Sequence, residues 1–182
     1  MRPSSINAER GAKYVHQGEF AVSNDPNEIL TAILGSCVST CLFDPIAGVG
    51  GMNHILLPDS PRRGSENHLY GVNLMELLIN ELMQRGASRG RLQAKLFGGA
   101  KVIGGLSDIG KRNVAFAEAF LKDEGITCVG QSVGGTSGRR IRFWPTSGRA
   151  KQIYLSAFEA EIEPIRPKRP DPKPVDGDIE LF

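Results

Sequence analysis

The chain lacks most of the features that assign a protein at a glance. It has no apolar run long enough to cross a bilayer: the longest, Ile29 to Phe43, is broken by Gly35, Ser36, Ser39 and Thr40. The stretch from Met1 to Gln17 is polar, without the apolar centre of a secretory leader. Neither sign of charge is in excess, with 22 Lys and Arg against 20 Asp and Glu. No strong field therefore points to nucleic acid or to a membrane surface. Cysteine is scarce and odd in number, three in 182 residues. That argues against a disulfide framework and suits free thiols in a reducing, cytoplasmic compartment. No repeat recurs, and the length suffices for one domain with a full core.

What is present reads as strands and two helices. Gly18–Ser23 alternates as a strand, and Asn24 to Asn27 is a turn. Ile29 to Phe43 offers one or two strands interrupted at Leu34-Gly35-Ser36, and Gly50 to Leu57 another, closed by Pro58. Apolar residues at 72, 75, 78, 79, 82 and 83 predict a helix over about 69–84 that ends at Gly86. A second helix is predicted over about 110–122, with Val114, Ala117, Phe120 and Leu121 on one face. Strands are expected at Leu92–Leu96 and Ile126–Ser132, then a hairpin of Arg140–Trp144 with Lys151–Leu155. The expected organisation is a flexible arm at 1–15, one catalytic domain at 16–160 and a disordered tail at 161–182. The tail carries five of the eleven prolines.

Chemistry concentrates on Thr31-Ala-Ile-Leu-Gly-Ser-Cys37 and Met52-Asn-His54. A thiol is a strong nucleophile as thiolate, and a neighbouring imidazole is the usual group that makes it one. If Asp44 to Ala47 forms a four-residue loop, Phe43 pairs with Gly48 and Cys37 falls directly opposite His54, within reach of a thiol–imidazole contact. A slip of one residue would put the two on opposite faces. No Asp or Glu lies between Leu30 and Leu42, so an orienting group there would be the Thr31 hydroxyl, although β-propensity also accounts for a strand threonine. Gly35 and Ser36 could present backbone N–H groups to a developing oxyanion. Cys41 and Cys128, within strands, read as small buried hydrophobes. His16 has no neighbours in the arm, and His68 reads as a capping or solvent-facing residue. A zinc set of Cys37, Cys41, His54 and His68 is disfavoured, because Cys-x3-Cys on a strand splays its ligands. No metal or other cofactor is expected. Spacing alone leaves Cys37 open between a core cysteine and a nucleophile.

Several segments, in order, resemble the CheD family of chemoreceptor glutamine deamidases. They are Leu34-Gly-Ser-Cys-Val38, Asp44-Pro45, Gly51-Met-Asn-His-Ile-Leu-Leu-Pro58, the run Tyr70–Ile79, Phe97-Gly-Gly-Ala100, Ile109-Gly-Lys-Arg-Asn113, Val133-Gly-Gly135 and Gly138-Arg139. The likeness spans about Gly18 to Leu155, with Ala32-Ile33 where members often carry Leu-Gly. It implies Cys37 as nucleophile, His54 as general base and Thr31 as the third catalytic residue. It also implies an α+β layered sandwich of mixed sheets with helices on one side, resembling the catalytic domain of cytotoxic necrotizing factor. The implied reaction converts receptor glutamines to glutamate through a cysteine thioester. The implied partners are the cytoplasmic helices of chemoreceptors and a CheC-type phosphatase, with no nucleic acid and no membrane insertion. Two alternatives stay open on sequence: a receptor methylesterase using the same thiol, and a non-catalytic regulator that binds the phosphatase.

Overall fold

A run that is apolar without alternation marks a strand covered on both faces, and the stretch from Val38 to Asp44 is built that way. The computed structural model describes residues 11–57, 64–101 and 108–156. Nine strands run in chain order: β1 (Ala12–Tyr14), β2 (Phe20–Ser23), β3 (Ile29–Leu34), β4 (Val38–Asp44), β5 (Val49–Asn53), β6 (Gln93–Gly98), β7 (Thr127–Val133), β8 (Arg139–Trp144) and β9 (Arg149–Tyr154). Helices α1 (Glu66–Gln84) and α2 (Ile109–Asp123) and a short 3-10 turn at Arg89–Arg91 complete the described elements. Four strands form one sheet in the order β1-β3-β8-β9, and five form the other in the order β2-β5-β4-β6-β7. Both sheets mix parallel and antiparallel pairs.

The sheets face each other across Leu30, Ala32, Leu34, Cys41, Phe43, Met52, Ile141 and Phe143, all buried. On the far side of the five-stranded sheet, Val38, Leu42, Val49 and Ile55 pack under Leu78, Ile79, Leu82, Ala117 and Phe120 of the two helices. The layers are therefore sheet, sheet, helices. The fold is α+β with its helices on one side, as expected. Strand β4 is the middle layer's central strand, which is why all seven of its residues are buried. Ser65 caps α1 by accepting the His68 N–H at 3.3 Å, and so the helix begins at Glu66, three residues earlier than the apolar period suggests. Among the described residues, no helix is long and apolar enough to cross a membrane.

Residues 12–15 of the arm expected over 1–15 belong to the sheets. Ala12–Tyr14 pairs in parallel with Ile29–Thr31, and Val15 is 1% exposed. Three residues are too few to show a period, so this strand exists only through its partner. The tail expected at 161–182 and residues 1–10 lie outside the described residues.

The β4–β5 hairpin differs from the expected register by two residues: Phe43 pairs with Gly50, and Asp44 with Val49. Asp44 sets this register. Its Oδ1 accepts the Ile46 and Ala47 N–H groups at 3.0 and 3.1 Å, its Oδ2 accepts from Ser88 at 2.9 Å, and Arg91 approaches to 2.8 Å. An aspartate that caps the two residues after its neighbour ends the strand there. The loop is therefore 45–48, with Gly48 at φ +65°. Burial pushes the Asp44 carboxyl up, but the bonds from Arg91, Ser88, Ala47 and Ile46 outweigh it and hold it at about 2. Because the folded value is depressed, this stability is present above the usual carboxylate range and is lost as pH falls from about 4 towards 2. The contribution is about 2 kcal/mol. Asp44→Asn therefore lowers the melting temperature at pH 7, and the difference from the parent narrows at pH 3, as thermal melts at both values would show.

Candidate active site

A shift of an even number of residues keeps side chains on their faces. Cys37 is thus not directly opposite His54, yet both belong to the face turned to the other sheet. The bridge Val38 to Ile55, with N–O distances of 2.9 and 2.8 Å, fixes the offset. It makes the two a diagonal pair, with Cα atoms roughly 7–8 Å apart, a span that long or aromatic side chains cover. Between these bridges the Thr40 N–H donates to Asn53 Oδ1 at 2.9 Å, and the buried Asn53 amide reaches Met75 Sδ at 3.0 Å.

His54 is 1% exposed and is held by the segment that follows β1. Its N–H donates to the Glu19 carbonyl at 3.0 Å, and its own carbonyl accepts the Gly18 N–H at 2.8 Å. The ring nitrogen Nδ1 lies 3.1 Å from the Val15 carbonyl. A carbonyl only accepts, so Nδ1 carries the proton in this contact, and in the neutral ring Nε2 then keeps its lone pair. That is the tautomer a general base needs.

Thr31 stands elsewhere. Its neighbours Leu30 and Ala32 fill the core between the sheets, so its side chain is on the other face, where Oγ1 donates to the Ile141 carbonyl at 2.7 Å. Its backbone reaches the site in one step: the Val15 N–H donates to the Thr31 carbonyl at 2.9 Å. The chain of contacts runs Thr31 carbonyl, Val15 peptide, His54 Nδ1.

The Cys37 loop is pinned from one side. The carbonyls of Gly35, Ser36 and Cys37 accept from Ala100 N–H at 2.8 Å, Asn113 Nδ2 at 2.9 Å and Gly99 N–H at 2.7 Å. A planar trans peptide sets each N–H opposite the preceding carbonyl. The Ser36 and Cys37 N–H groups therefore face away from Ala100 and Asn113. This close approach requires glycine at the end of β6. Gly98 has φ +109°, and a Cβ there would lie 2.1 Å from the Cys37 carbonyl.

Asn113, which ends the Ile109-Gly-Lys-Arg-Asn113 segment, carries a role that its sequence context did not assign. It is fully buried, and its Oδ1 accepts the Leu57 N–H at 3.0 Å while its Nδ2 holds Ser36. One amide thus ties the cysteine loop to the chain leaving His54. Asn113→Ala leaves a buried N–H and a buried carbonyl unpartnered, at about 1–3 kcal/mol each. The expected result is a lower melting temperature and a roughly tenfold or greater fall in turnover, read by thermal melt and rate assay. Asn113→Asp keeps the acceptor for Leu57 but turns a carboxylate oxygen on the Ser36 carbonyl in a buried site, so it should be no more stable than Asn113→Ala.

The three thiols are distinct. Cys41 is buried, and desolvation pushes it up to about 12 despite Ser39 and Lys95, which leaves it an unreactive thiol at neutral pH. Cys128 is exposed, contrary to expectation, because β7 is an edge strand. Its Sγ donates to the Gly130 carbonyl at 3.3 Å. Cys37 is half-buried on the loop between β3 and β4. The other histidines also have partners: His16 packs tilted against the Tyr14 ring at 4.7 Å between centroids, and His68 meets the Phe116 ring edge-on at 5.7 Å, joining the helices. A cleft of about 380 Å³ bordered by Gly99, Lys101, Gly110, Lys111, Gly134 and Gly135 adjoins this loop but includes neither Cys37 nor His54.

The class that fold and site define is a two-sheet α+β sandwich with a half-buried cysteine and an oriented imidazole on one face. Residues 56–152 match the family described as CheD chemotactic sensory transduction. The chain is 54% identical to a protein of Sinorhizobium medicae over 97% of this chain and 100% of the relative. It is 54% identical to one of Rhizobium leguminosarum bv. trifolii over 96% and 98%, and 52% identical to one of Caulobacter vibrioides over 96% and 95%. All three are named probable chemoreceptor glutamine deamidase CheD. This chain belongs to the CheD family. Among solved structures, Neisseria meningitidis protein NMB0706 aligns at a TM-score of 0.44 and 12% identity over 69% of this chain and 63% of that one, and Bacillus licheniformis YfiH at 0.34 and 18% over 43% and 26%. Neither carries a fold argument or bears on the expected likeness to cytotoxic necrotizing factor.

Proposed function

We propose that this chain is a cysteine amidohydrolase that converts glutamine side chains of chemoreceptors to glutamate. The substrate is inferred from the names of the relatives. The observation that carries the chemistry is the Val15 carbonyl at His54 Nδ1, which leaves Nε2 of the neutral ring as the acceptor; His54 and Cys37 belong to one face of the sheet. In this mechanism His54 Nε2 takes the Cys37 proton, and Sγ bonds to the amide carbon of the substrate. The Ser36 and Cys37 N–H groups meet the oxyanion. The imidazolium then protonates the departing nitrogen, the C–N bond breaks, and ammonia leaves a thioester. Water, giving its proton to Nε2, adds to the thioester, and the C–S bond breaks to release glutamate and the thiol. Thr31 acts through the Val15 peptide as a positioning residue.

In this reading the catalytic domain, expected over 16–160, also takes in β1 and Val15, and it meets the cytoplasmic helices of the receptors. Each conversion adds a negative charge to a helix surface, which alters helix packing through local repulsion. A CheC-type phosphatase is proposed as regulatory partner on the family resemblance alone. The test is incubation with receptor cytoplasmic fragments and mass-spectrometric mapping of amide-to-acid changes. Conversion at defined glutamines is expected, and methanol release from methylated fragments without amide conversion would identify an esterase instead.

A further inference from the structure

We propose that Gln17 is a further catalytic residue, whose carboxamide N–H binds the sulfur anion and then the oxyanion formed at Cys37. The inference rests on the deamidase reading above and adds a donor to it. The sequence marks Gln17 only as the end of a polar arm.

Its place is fixed by its neighbours. Two residues before it, the Val15 carbonyl holds the His54 ring, and the next two residues, Gly18 and Glu19, bond both backbone groups of His54. The Glu19 N–H donates back to the His16 carbonyl at 3.0 Å, closing a tight turn around Gln17, with Gly18 at φ +79°. Gln17 is thus the apex of a turn whose flanks are fastened to the proposed base. From that apex its side chain reaches the proposed nucleophile, with Oε1 4.0 Å from Cys37 Sγ. A turn needs no amide at its exposed apex, and the exposed side chain nevertheless extends to within 4.0 Å of the sulfur.

The chemistry follows from the two faces of a carboxamide. Oε1 accepts from a protonated thiol, and half a turn about the terminal torsion presents Nε2–H instead. A thiolate, and the oxyanion that follows attack, both call for a donor. The group transfers no proton. It adds one N–H to those of Ser36 and Cys37, and it is supplied by the segment that orients His54. Base, nucleophile and donor would thereby be assembled together when the stretch after β1 docks.

The test compares Gln17→Ala and Gln17→Glu with the parent chain on a receptor cytoplasmic fragment, with amide conversion followed by mass spectrometry. Alkylation of Cys37 by iodoacetamide is measured in parallel as a function of pH. Gln17→Ala is expected to lower kcat about 10- to 100-fold with KM within about twofold, less than a fully buried donor because Gln17 is exposed. Gln17→Glu sets a carboxylate beside the sulfur, so its alkylation profile should move to higher pH, a shift that loss of a merely structural turn residue would not produce. An unchanged kcat in Gln17→Ala, or a loss confined to KM, overturns the proposal. So does a mass change at Gln17 itself in the parent, which would make it a substrate. If the parent converts no receptor amide, the deamidase reading has failed, and the alkylation arm then decides the contact: superimposable profiles for Gln17→Glu and parent overturn it.

Discussion

Replacing His54 by alanine should lower amide conversion on the order of 10²–10⁴-fold, the range for a lost general base. The ring accepts the thiol proton, returns it to the leaving nitrogen and activates water, so all three steps suffer. Its removal also strands the Val15 carbonyl in a buried site, at a cost of about 1–3 kcal/mol. A fall in activity could then reflect misfolding. His54→Gln separates the two effects, since a glutamine can donate to the Val15 carbonyl and fill most of the volume but cannot serve as base. Near-parental melting with the same loss of rate is the expected result for His54→Gln. Activity within tenfold of the parent would mean that another group takes the proton.

Replacing Cys37 should have the larger effect. Loss of a nucleophile removes the covalent route, and losses on the order of 10⁴–10⁶ are the precedent for such groups. The half-buried loop position makes Cys37→Ala a mild structural change, and so melting should barely move. The other thiols serve as controls. Cys128 is exposed on an edge strand, so Cys128→Ala should leave both rate and stability unchanged. Cys41→Ala opens a small space in a packed core and should cost about 1 kcal/mol while sparing the rate constant.

The candidate site was legible where chemistry is carried by side chains close in sequence. Cys37 stood out through its flanking Gly35-Ser36, and His54 through its place on the next apolar run. The hairpin register was not legible, because glycines at 48, 50 and 51 admit several loops. The capping by Asp44, which selects one of them, depends on Ser88 and Arg91 from beyond α1. The group that orients His54 was missed for a related reason. A backbone carbonyl has no residue signature, and Val15 reaches its place through a three-residue strand paired to a distant one. Cys128 was misjudged because a strand's apolar residues do not say whether it lies at an edge. Asn113 stood at the end of the Ile109-Gly-Lys-Arg-Asn113 segment, which gave it no role by itself.

If Cys37 is acylated by a glutamine side chain, acid-quenched intact mass spectrometry of the chain with a helical receptor peptide should capture the thioester. A transient adduct of peptide mass less ammonia should map to the fragment that contains Cys37 and decay as glutamate appears. Conversion that persists in Cys37→Ala, or an adduct on any other residue, would mean that a group other than Cys37 attacks the amide.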